Sequence, residues 1–457
     1  MESKMLKKSY ATVILALILI FTSLISAFFP AYADEDKSAE EAKEAFKADM
    51  ADPFHIDTVE SAYLYCLSTE TELLSFDASP EIPDIPSETV KLLTALTAYD
   101  MIEDLSECVS VTATMINRST GIRYGYKAGD TIPYSDLLCT LLMRNANDSA
   151  VILAYSLCGG TAEFAEKMNE KALSLGLTSS TFTNPTGIYD SKMTTTAKDI
   201  FLIAYEFYAN KTLMNYAGAY SKRLSTDDVI YNRNYLISSY YNSGKSYIDS
   251  SVNGMISGSS NEGGHVLVRS ATYNGYEYIC VILGAQRDSH YIYSYDVSGE
   301  LIKWGSKNYS FLSVLNSYVP VTSLPVVSAR ETDSVPIVPS DNISRYLLSD
   351  SYTSGRITSQ INLTAEKLTA PVKAGTEVGE ILIYYNGELI AKSTLRTACE
   401  ITENTTSAII QSVWTTLSSQ KAITIYIVTL SCVAVYIFIN SIIRYRRKVK
   451  LANSSIK

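Results

Sequence analysis

Three side chains that could carry out proton transfer or nucleophilic attack lie close together after Pro86. Ser87 carries a hydroxyl, Glu88 a carboxylate and Lys91 an amine. Proline favours the first turn of a helix, so Glu88 and Lys91 would lie one turn apart on the same helix face. This spacing suits either an acid–base pair or a stabilising ion pair on the helix surface, and we expect the surface ion pair. Ser87 at a helix start is also an ordinary N-cap residue.

The composition argues against several other kinds of site. The chain has 457 residues and a formal net charge of −10, so it lacks the basic field that nucleic-acid binding requires. His55, His265 and His290 are far apart, and no cysteine–histidine cluster has metal-ligand spacing. No glycine loop suited to phosphates is evident, and we expect neither a metal nor a cofactor. The seven cysteines are scattered, and we expect them to be buried apolar residues. One disulfide between two of them stays an alternative, and the sequence does not locate it.

The two ends of the chain predict a membrane-anchored protein outside the cytoplasm. Residues 1–33 combine a basic start, a long apolar run and a small-x-small site, so we expect a signal peptide cleaved after Ala33. Residues 422–443 are apolar over a bilayer-spanning length, and the tail 444–457 is rich in arginine and lysine. Because basic residues stay in the cytoplasm, we expect a single-pass protein of the cell membrane with its ectodomain outside and its C-terminus inside.

The segment between the two ends reads as two domains. An acidic lead-in occupies residues 34–58. Residues 59–318 have strand patterns at both ends and helical patterns in the middle, which is typical of an α/β or α+β domain. Residues 319–405 alternate short strands with turns and predict a small all-β domain. Residues 406–421 would link that domain to the membrane helix.

Several elements can be placed along this segment from their patterns. The strings SAYLYC and ELLSF predict paired strands, and Pro86 precedes a predicted helix. Other helices are expected at Tyr134–Leu157, ending at Gly159-Gly160, and at Ile200–Tyr208. The dipeptides Asn274-Gly275 and Asn386-Gly387 predict the turns of two hairpins. A group of tyrosines could form a saccharide-stacking surface but is expected to be half-buried strand and loop aromatics; it comprises Tyr231, Tyr235, Tyr240 and Tyr241.

Five strings, occurring in the family's order, resemble the serine-type D-Ala-D-Ala carboxypeptidases, the low-molecular-mass penicillin-binding proteins. They are PSETVKLLTAL (86–96), LLMRNANDSAVILA (141–154), FTNPTGIYD (182–190), VNGMISGSSNEGGHVLVRSA (252–271) and PVKAGTEVGEILIYYNGEL (371–389). The resemblance covers roughly residues 60–405. It implies a penicillin-binding-protein and β-lactamase-like domain, with a central antiparallel sheet and a helical subdomain, followed by the small β-domain.

The resemblance also implies where a catalytic site would lie. In the family a Ser-x-x-Lys serine attacks the D-Ala-D-Ala carbonyl, a Ser-x-Asn motif assists, and a Lys-Thr-Gly motif binds the substrate carboxylate. Alignment on the TAL string without gaps places Glu88 at the nucleophile and Lys91 at the motif lysine. The three residues Asn145-Ala146-Asn147 replace Ser-x-Asn, and Ile256, Ser257 and Gly258 replace Lys-Thr-Gly.

These substitutions predict that the acylation machinery is lost. A carboxylate at Glu88 is a weak nucleophile toward an amide, and its acyl adduct would be a labile anhydride. Removing the cation at Ile256 would cost about 2–5 kcal/mol of carboxylate binding. We therefore expect a pseudoenzyme that keeps a binding or scaffold role in cell-wall metabolism. Its partner would be a peptidoglycan stem peptide or a wall-synthesis protein.

Two catalytic alternatives are also compatible with these residues. The first is a working carboxypeptidase with Ser87 as a displaced nucleophile, Lys91 as base, and Asn147 and Ser257 as supporting donors. A one-residue shift along a helix rotates a side chain by about 100°, which argues against that nucleophile. The second is new hydrolytic chemistry with Glu88 as the base.

Overall fold

A computed structural model describes residues 55–76, 84–242, 244–288 and 291–454. The expected signal peptide (1–33) and most of the acidic lead-in (34–58) lie outside the described residues. The chain divides into two compact units, the first ending at Asn308 and the second beginning at Tyr309.

The first unit is built on a five-stranded antiparallel sheet. Its strands are β1 (Ser61–Cys66), β2 (Thr71–Phe76), β7 (Val252–Ser259), β8 (His265–Tyr273) and β9 (Tyr276–Ala285). Their order across the sheet is β2-β1-β9-β8-β7, so β7 is an edge strand. Two short hairpins lie outside this sheet; they pair β3 (Cys108–Ser110) with β4 (Thr131–Pro133), and β5 (Ser221–Arg223) with β6 (Val229–Tyr231).

Helices cover both faces of the five-stranded sheet. The helices of this unit are α1 (Val90–Met101), α2 (Ala113–Arg118), α3 (Tyr134–Arg144), α4 (Asn147–Cys158), α5 (Thr161–Ser174), α6 (Ala197–Ala209), α7 (Lys211–Ala217) and α8 (Tyr293–Asn308). Phe201 of α6 contacts the Tyr63 and Tyr65 rings of β1. Leu64 points the other way along that strand and lies against Gly305 of α8. The sheet is thus enclosed between helices.

The helix predicted over Tyr134–Leu157 is two helices in the structure. Asn145, between α3 and α4, adopts a left-handed conformation with φ 55°, and Ala146 is extended. Asparagine tolerates this region better than most residues, so the break has a local cause. The chain turns here and begins α4 at Asn147 on a new axis, ending with Gly159 in the left-handed cap position.

Most other predicted elements are confirmed. The strands at SAYLYC and ELLSF, the helix around Ile200–Tyr208 and both hairpins form where they were expected. Asn274 and Asn386 adopt positive φ values, as the first residue of an Asn-Gly turn requires.

The second unit is mainly β-structure, as predicted. Its larger sheet has six strands: β11 (Thr322–Val327), β12 (Ser334–Pro339), β14 (Ile357–Leu363), β15 (Leu368–Thr369), β16 (Glu377–Tyr385) and β17 (Glu388–Thr397). Their order across the sheet is β14-β16-β17-β12-β11-β15, and separately β10 (Tyr309–Leu315) pairs with β13 (Ile343–Leu348). Fifteen buried residues, among them Val335, Ile337 and Leu395, form its apolar core.

Two helices follow the β-structure. The first, α9, spans Thr405–Leu417, and the second, α10, spans Gln420–Ser454. The stretch Gln420–Arg444 is long and apolar enough to cross a membrane. It is the single candidate span among the described residues, and it includes the predicted segment 422–443.

Candidate functional site

The residues after Pro86 form a 3-10 turn, Ser87–Thr89, that leads directly into α1. Ser87 has a left-handed backbone conformation with φ 44°. A non-glycine residue adopts that conformation at a cost of about 1–3 kcal/mol, so surrounding contacts must hold it there. The next residue, Glu88, and Lys91 in the first turn of α1 extend from this constrained helix start.

Lys91 is buried rather than exposed on the surface of α1. Its side chain is only 1% exposed, and Nζ donates a hydrogen bond to the carbonyl oxygen of Thr186 at 2.6 Å. Burial lowers the pKa of the Lys91 amine to about 8, and the nearby Glu88 carboxylate opposes that shift. The expected surface ion pair between Glu88 and Lys91 is therefore wrong, because the amine is directed into the protein interior and bonds to a backbone oxygen.

The loop that receives the Lys91 amine is held in a tight turn against the helix start. The Oδ1 atom of Asn184 accepts hydrogen bonds from the backbone N–H groups of Thr186 and Gly187, at 3.1 and 3.0 Å. Gly187 has φ 78°, and a Cβ atom there would lie 2.0 Å from the carbonyl oxygen of Ser87. Only glycine permits this approach, which brings the loop and the 3-10 turn into direct contact.

The Glu88 side chain lies over the edge strand β7. A Cβ atom added to Gly258 would meet the Cβ, Cγ and Cδ atoms of Glu88 at 2.5–2.7 Å. The Oε2 atom of Glu88 is buried and has no hydrogen-bond partner among the described residues. The structure thus places a carboxylate, with one unsatisfied oxygen, directly against this strand.

The Ser87 hydroxyl contacts the loop that follows β7, whereas the Lys91 amine contacts the backbone at Thr186. Ser87 is 1% exposed, and its Oγ lies 2.8 Å from the Oγ of Ser260. The Ser260 hydroxyl also accepts a hydrogen bond from the backbone N–H of Gly263 at 2.8 Å. The Ser87 hydroxyl is therefore enclosed by the loop after β7, and it makes no hydrogen bond to Lys91.

The two predicted asparagines have different contacts. Asn145 is buried and donates from Nδ2 to the carbonyl oxygen of Ser257 at 2.8 Å, which joins the break between α3 and α4 to strand β7. Asn147 donates from Nδ2 to the carbonyl oxygen of Thr120 at 2.8 Å. Its Oδ1 is buried and has no partner within the described part of the chain.

The remaining predicted residues belong to β7, next to Glu88. Ile256 is 1% exposed and is part of the main apolar core of the first unit. Ser257 is buried, with its Oγ 2.9 Å from the hydroxyl of Tyr295 in α8. Gly258 provides the flat backbone on which Glu88 rests.

The arrangement brings together a buried amine and a carboxylate, and the described residues offer the amine no hydroxyl partner. A serine nucleophile needs its base within hydrogen-bond reach. Among the described residues the amine's hydrogen bond goes to the carbonyl oxygen of Thr186. Two buried oxygens of the predicted site residues, Glu88 Oε2 and Asn147 Oδ1, have no hydrogen-bond partner among the described residues.

Sequence reasoning missed three partners: Thr186, Ser260 and Tyr295. Thr186 lies in the quoted string NPTG, whose turn-forming residues could have indicated a close backbone approach. Ser260 and Tyr295 carry no such signal, because their contacts depend on chain segments distant in sequence.

Comparison with known families agrees with this architecture. The family model of D-alanyl-D-alanine carboxypeptidases matches residues 79–287, which lie in the first unit. The model of the penicillin-binding protein 5 C-terminal domain matches residues 320–403, in the second unit.

Curated relatives match at low identity over part of their length. The D-alanyl-D-alanine carboxypeptidase DacF of Bacillus subtilis is 24% identical over 269 residues, covering 58% of this chain and 65% of the relative. The carboxypeptidase DacC of Escherichia coli is 29% identical over 280 residues, covering 59% of this chain and 64% of the relative. The chain thus spans slightly under two thirds of the length of these relatives.

Solved structures place the fold in the penicillin-binding-protein class. Penicillin-binding protein 5 from Haemophilus influenzae superposes with a TM-score of 0.51 at 19% identity, covering 76% of this chain and 98% of that one. Penicillin-binding protein 6B from E. coli gives a TM-score of 0.53 at 19% identity, with coverage of 74% and 94%. With both family models matched in order, the chain belongs to the low-molecular-mass penicillin-binding proteins.

Proposed function

We propose that this protein is a D-Ala-D-Ala carboxypeptidase homologue that has lost acylation and acts as a binding or scaffold protein in peptidoglycan metabolism. The observation that carries the proposal is Glu88, which stands at the family's nucleophile position with its side chain against Gly258. A carboxylate there is a poor nucleophile for an amide. Attack would also yield an anhydride instead of a stable ester.

The contacts of Ser87 argue against its use as a substitute nucleophile. Its hydroxyl is buried and lies beside the hydroxyl of Ser260, whereas the amine of Lys91 bonds to Thr186. A nucleophile and its base must be within hydrogen-bond distance and held in place by their surroundings. Activation of Ser87 would require both hydrogen bonds to break and the turn to rearrange.

The strand that would bind the substrate carboxylate also lacks its cation. Ile256 occupies the position of the family's lysine and is part of the apolar core. Loss of a charged partner from a recognition pair costs about 2–5 kcal/mol, which corresponds to a weakening of about 30-fold or more. A D-Ala-D-Ala terminus would therefore bind weakly in the family's manner. β7 is nevertheless an edge strand, and an edge strand can pair with an extended peptide.

We further propose that the protein is anchored in the cell membrane by Gln420–Arg444, with the ectodomain outside and the basic tail inside. Cleavage of the signal peptide after Ala33 belongs to the same proposal. A peptidoglycan stem peptide or a wall-synthesis protein would then be within reach as the partner.

The proposal is tested by measuring D-Ala release from a pentapeptide ending in D-Ala-D-Ala, using the full chain in detergent. We expect no release above the buffer rate. Ser87→Ala is the control for a displaced nucleophile, and Glu88→Ala is the control for chemistry based on the carboxylate. Release by the wild type that Ser87→Ala abolishes would establish the working carboxypeptidase instead. Release that Glu88→Ala abolishes would establish new hydrolytic chemistry.

A further inference from the structure

The second unit contains a pocket of about 480 Å³ beside the loop that joins β10 to β11. Its wall includes Ser317 and Tyr318 in that loop, Gly375 ahead of β16, and Arg396 and Thr397 at the end of β17. Its volume lies within the range of roughly 300–1,000 Å³ that is usual for small-molecule sites. All of its lining residues belong to the second unit, whereas the candidate site described above belongs to the first.

The backbone that walls this pocket is already hydrogen-bonded. β17 lies between β16 and β12, and β12 lies between β17 and β11, so both are interior strands. The N–H of Gly375 donates to the carbonyl oxygen of Thr397 at 2.8 Å, and that of Ala398 donates to Pro336 at 2.9 Å. An extended peptide would find no unpaired strand edge here. A ligand of this pocket must therefore be recognised by side chains.

The side chains of the pocket offer hydrogen-bond donors without acceptors. Arg396 is half-buried, and its neighbours across the sheet are Val338 and Glu377. Among the described residues, no carboxylate forms an ion pair with Arg396 and no acceptor takes a hydrogen bond from its guanidinium. The hydroxyls of Ser317 and Tyr318 likewise have no partner within the described part of the chain. A half-buried guanidinium in a pocket lined by no acidic residue favours an anionic ligand.

The Tyr318 ring stands in solvent although its backbone is fixed. Its N–H donates to the Oδ1 atom of Asn316 at 2.9 Å, and the N–H of Ser317 donates to Oδ1 of Asn342 at 2.8 Å. The Tyr318 side chain is 85% exposed, against 58% for Tyr240, for which the expected half-burial is wrong. A fixed, exposed aromatic ring at the rim of a pocket offers a flat apolar surface to a ligand.

We propose that this pocket binds a sugar that carries a carboxylate. Arg396 pairs with the carboxylate through parallel N–H···O bonds, and the Tyr318 ring packs against the apolar face of the sugar. The Ser317 hydroxyl bonds to a hydroxyl of the same sugar. A sugar suits the pocket better than a peptide because the interior strands leave no backbone groups for a peptide to pair with. The proposal does not depend on whether Glu88 or Ser87 supports catalysis.

The proposal is tested by calorimetric titration of the full chain, in a detergent whose headgroup is not a sugar. The probes are N-acetylmuramate, N-acetylglucosamine, which is the same sugar without the carboxylate, and N-acetyl-L-alanyl-L-alanine, which has a carboxylate but no sugar. We expect the acidic sugar to bind about tenfold or more tightly than either of the other two, equal to about 1.4 kcal/mol.

Variants decide whether that preference comes from this pocket. Arg396→Gln should reduce binding of the acidic sugar to the level of the neutral sugar. Tyr318→Ala should weaken binding of the acidic sugar about threefold or more, whereas Tyr318→Phe, which keeps the ring, should not. Arg330→Gln is the matched control, because it removes an exposed arginine of the same unit that does not line the pocket.

Thermal unfolding of each variant checks that the fold survives. Equal binding of the acidic and the neutral sugar would overturn the proposal, and so would a preference that survives in Arg396→Gln. Binding of the dipeptide that matches the acidic sugar and is lost in Arg396→Gln would assign the pocket to a peptide instead.

Discussion

The amine of Lys91 donates to the carbonyl oxygen of Thr186 at 2.6 Å, and this bond ties the start of α1 to the NPTG turn. A fully buried amine with a backbone oxygen as its acceptor is costly to protonate. The same residue that would be the base in an active family member is therefore a structural element whose charge state affects stability.

The first prediction concerns the pH dependence of that stability. Because burial lowers the pKa of Lys91 from 10.5 to about 8, the unfolded chain binds more protons than the folded protein between these two values. The part of the folding stability that depends on an uncharged Lys91 amine is fully present above about pH 10.5. It is lost as the pH falls to about 8. The stability of the wild type relative to Lys91→Met should rise by about 3 kcal/mol across this window. Urea unfolding at several pH values measures it, and a constant difference would contradict the assigned burial.

The second prediction concerns His265, which is buried beside Ser294. The Nδ1 atom of His265 lies 2.7 Å from the Ser294 hydroxyl, and burial, reinforced by Arg287, lowers the pKa of the ring from 6.5 to about 3. Stability from this neutral ring is present above pH 6.5 and lost as the pH falls towards 3. His265→Gln should flatten the acid side of the stability profile by about 1.4 kcal/mol per pH unit. An unchanged acid slope in unfolding experiments would show that the ring is accessible to protons in the folded state.

The third prediction tests the contact between Gly187 and the 3-10 turn. Gly187→Ala should destabilise the protein by about 2–4 kcal/mol, because its Cβ would lie 2.0 Å from the Ser87 carbonyl oxygen. Gly176→Ala is a matched control with a similar φ of 84° and no heavy atom within 4 Å of the added Cβ. The control should lose only about 1–2 kcal/mol from backbone strain. Equal losses in denaturant unfolding would show that the loop does not press on the turn.

The fourth prediction separates the two roles of Asn145. Its left-handed backbone ends α3, and its side chain holds Ser257 of β7. Asn145→Gly keeps the backbone conformation and loses only the side-chain bond, at a cost of about 1–2 kcal/mol. Asn145→Ala should cost about 1 kcal/mol more, because alanine disfavours that conformation. If the two variants unfold at the same denaturant concentration, the left-handed backbone conformation at Asn145 does not disfavour alanine, which contradicts this prediction.

Local signals explain why much of the fold could be predicted. The dipeptides Asn274-Gly275 and Asn386-Gly387 determine their hairpins through backbone preferences of neighbouring residues. The break at Asn145 was missed although the polar run RNANDS (144–149) interrupts the apolar pattern there, because a left-handed asparagine leaves no further signal in the sequence.

The candidate site was less predictable because its contacts join distant segments. The spacing of Glu88 and Lys91 indicates a shared helix face, but only the docking of Thr186 determines which side chain is buried. The Ser87–Ser260 contact likewise joins residues 173 positions apart. Contacts between residues so far apart in the chain are determined by the tertiary structure and leave no periodic pattern in the sequence.

We propose that Glu88 has replaced the acylated serine and that Ser87 does not substitute for it. The most direct test is incubation of the full chain with fluorescent penicillin, followed by denaturing electrophoresis and intact-protein mass spectrometry. An active low-molecular-mass penicillin-binding protein treated in parallel is the positive control. We predict no covalent label and an unchanged mass for a sample that unfolds cooperatively. A stable adduct, and above all one that disappears in Ser87→Ala, would contradict the claim.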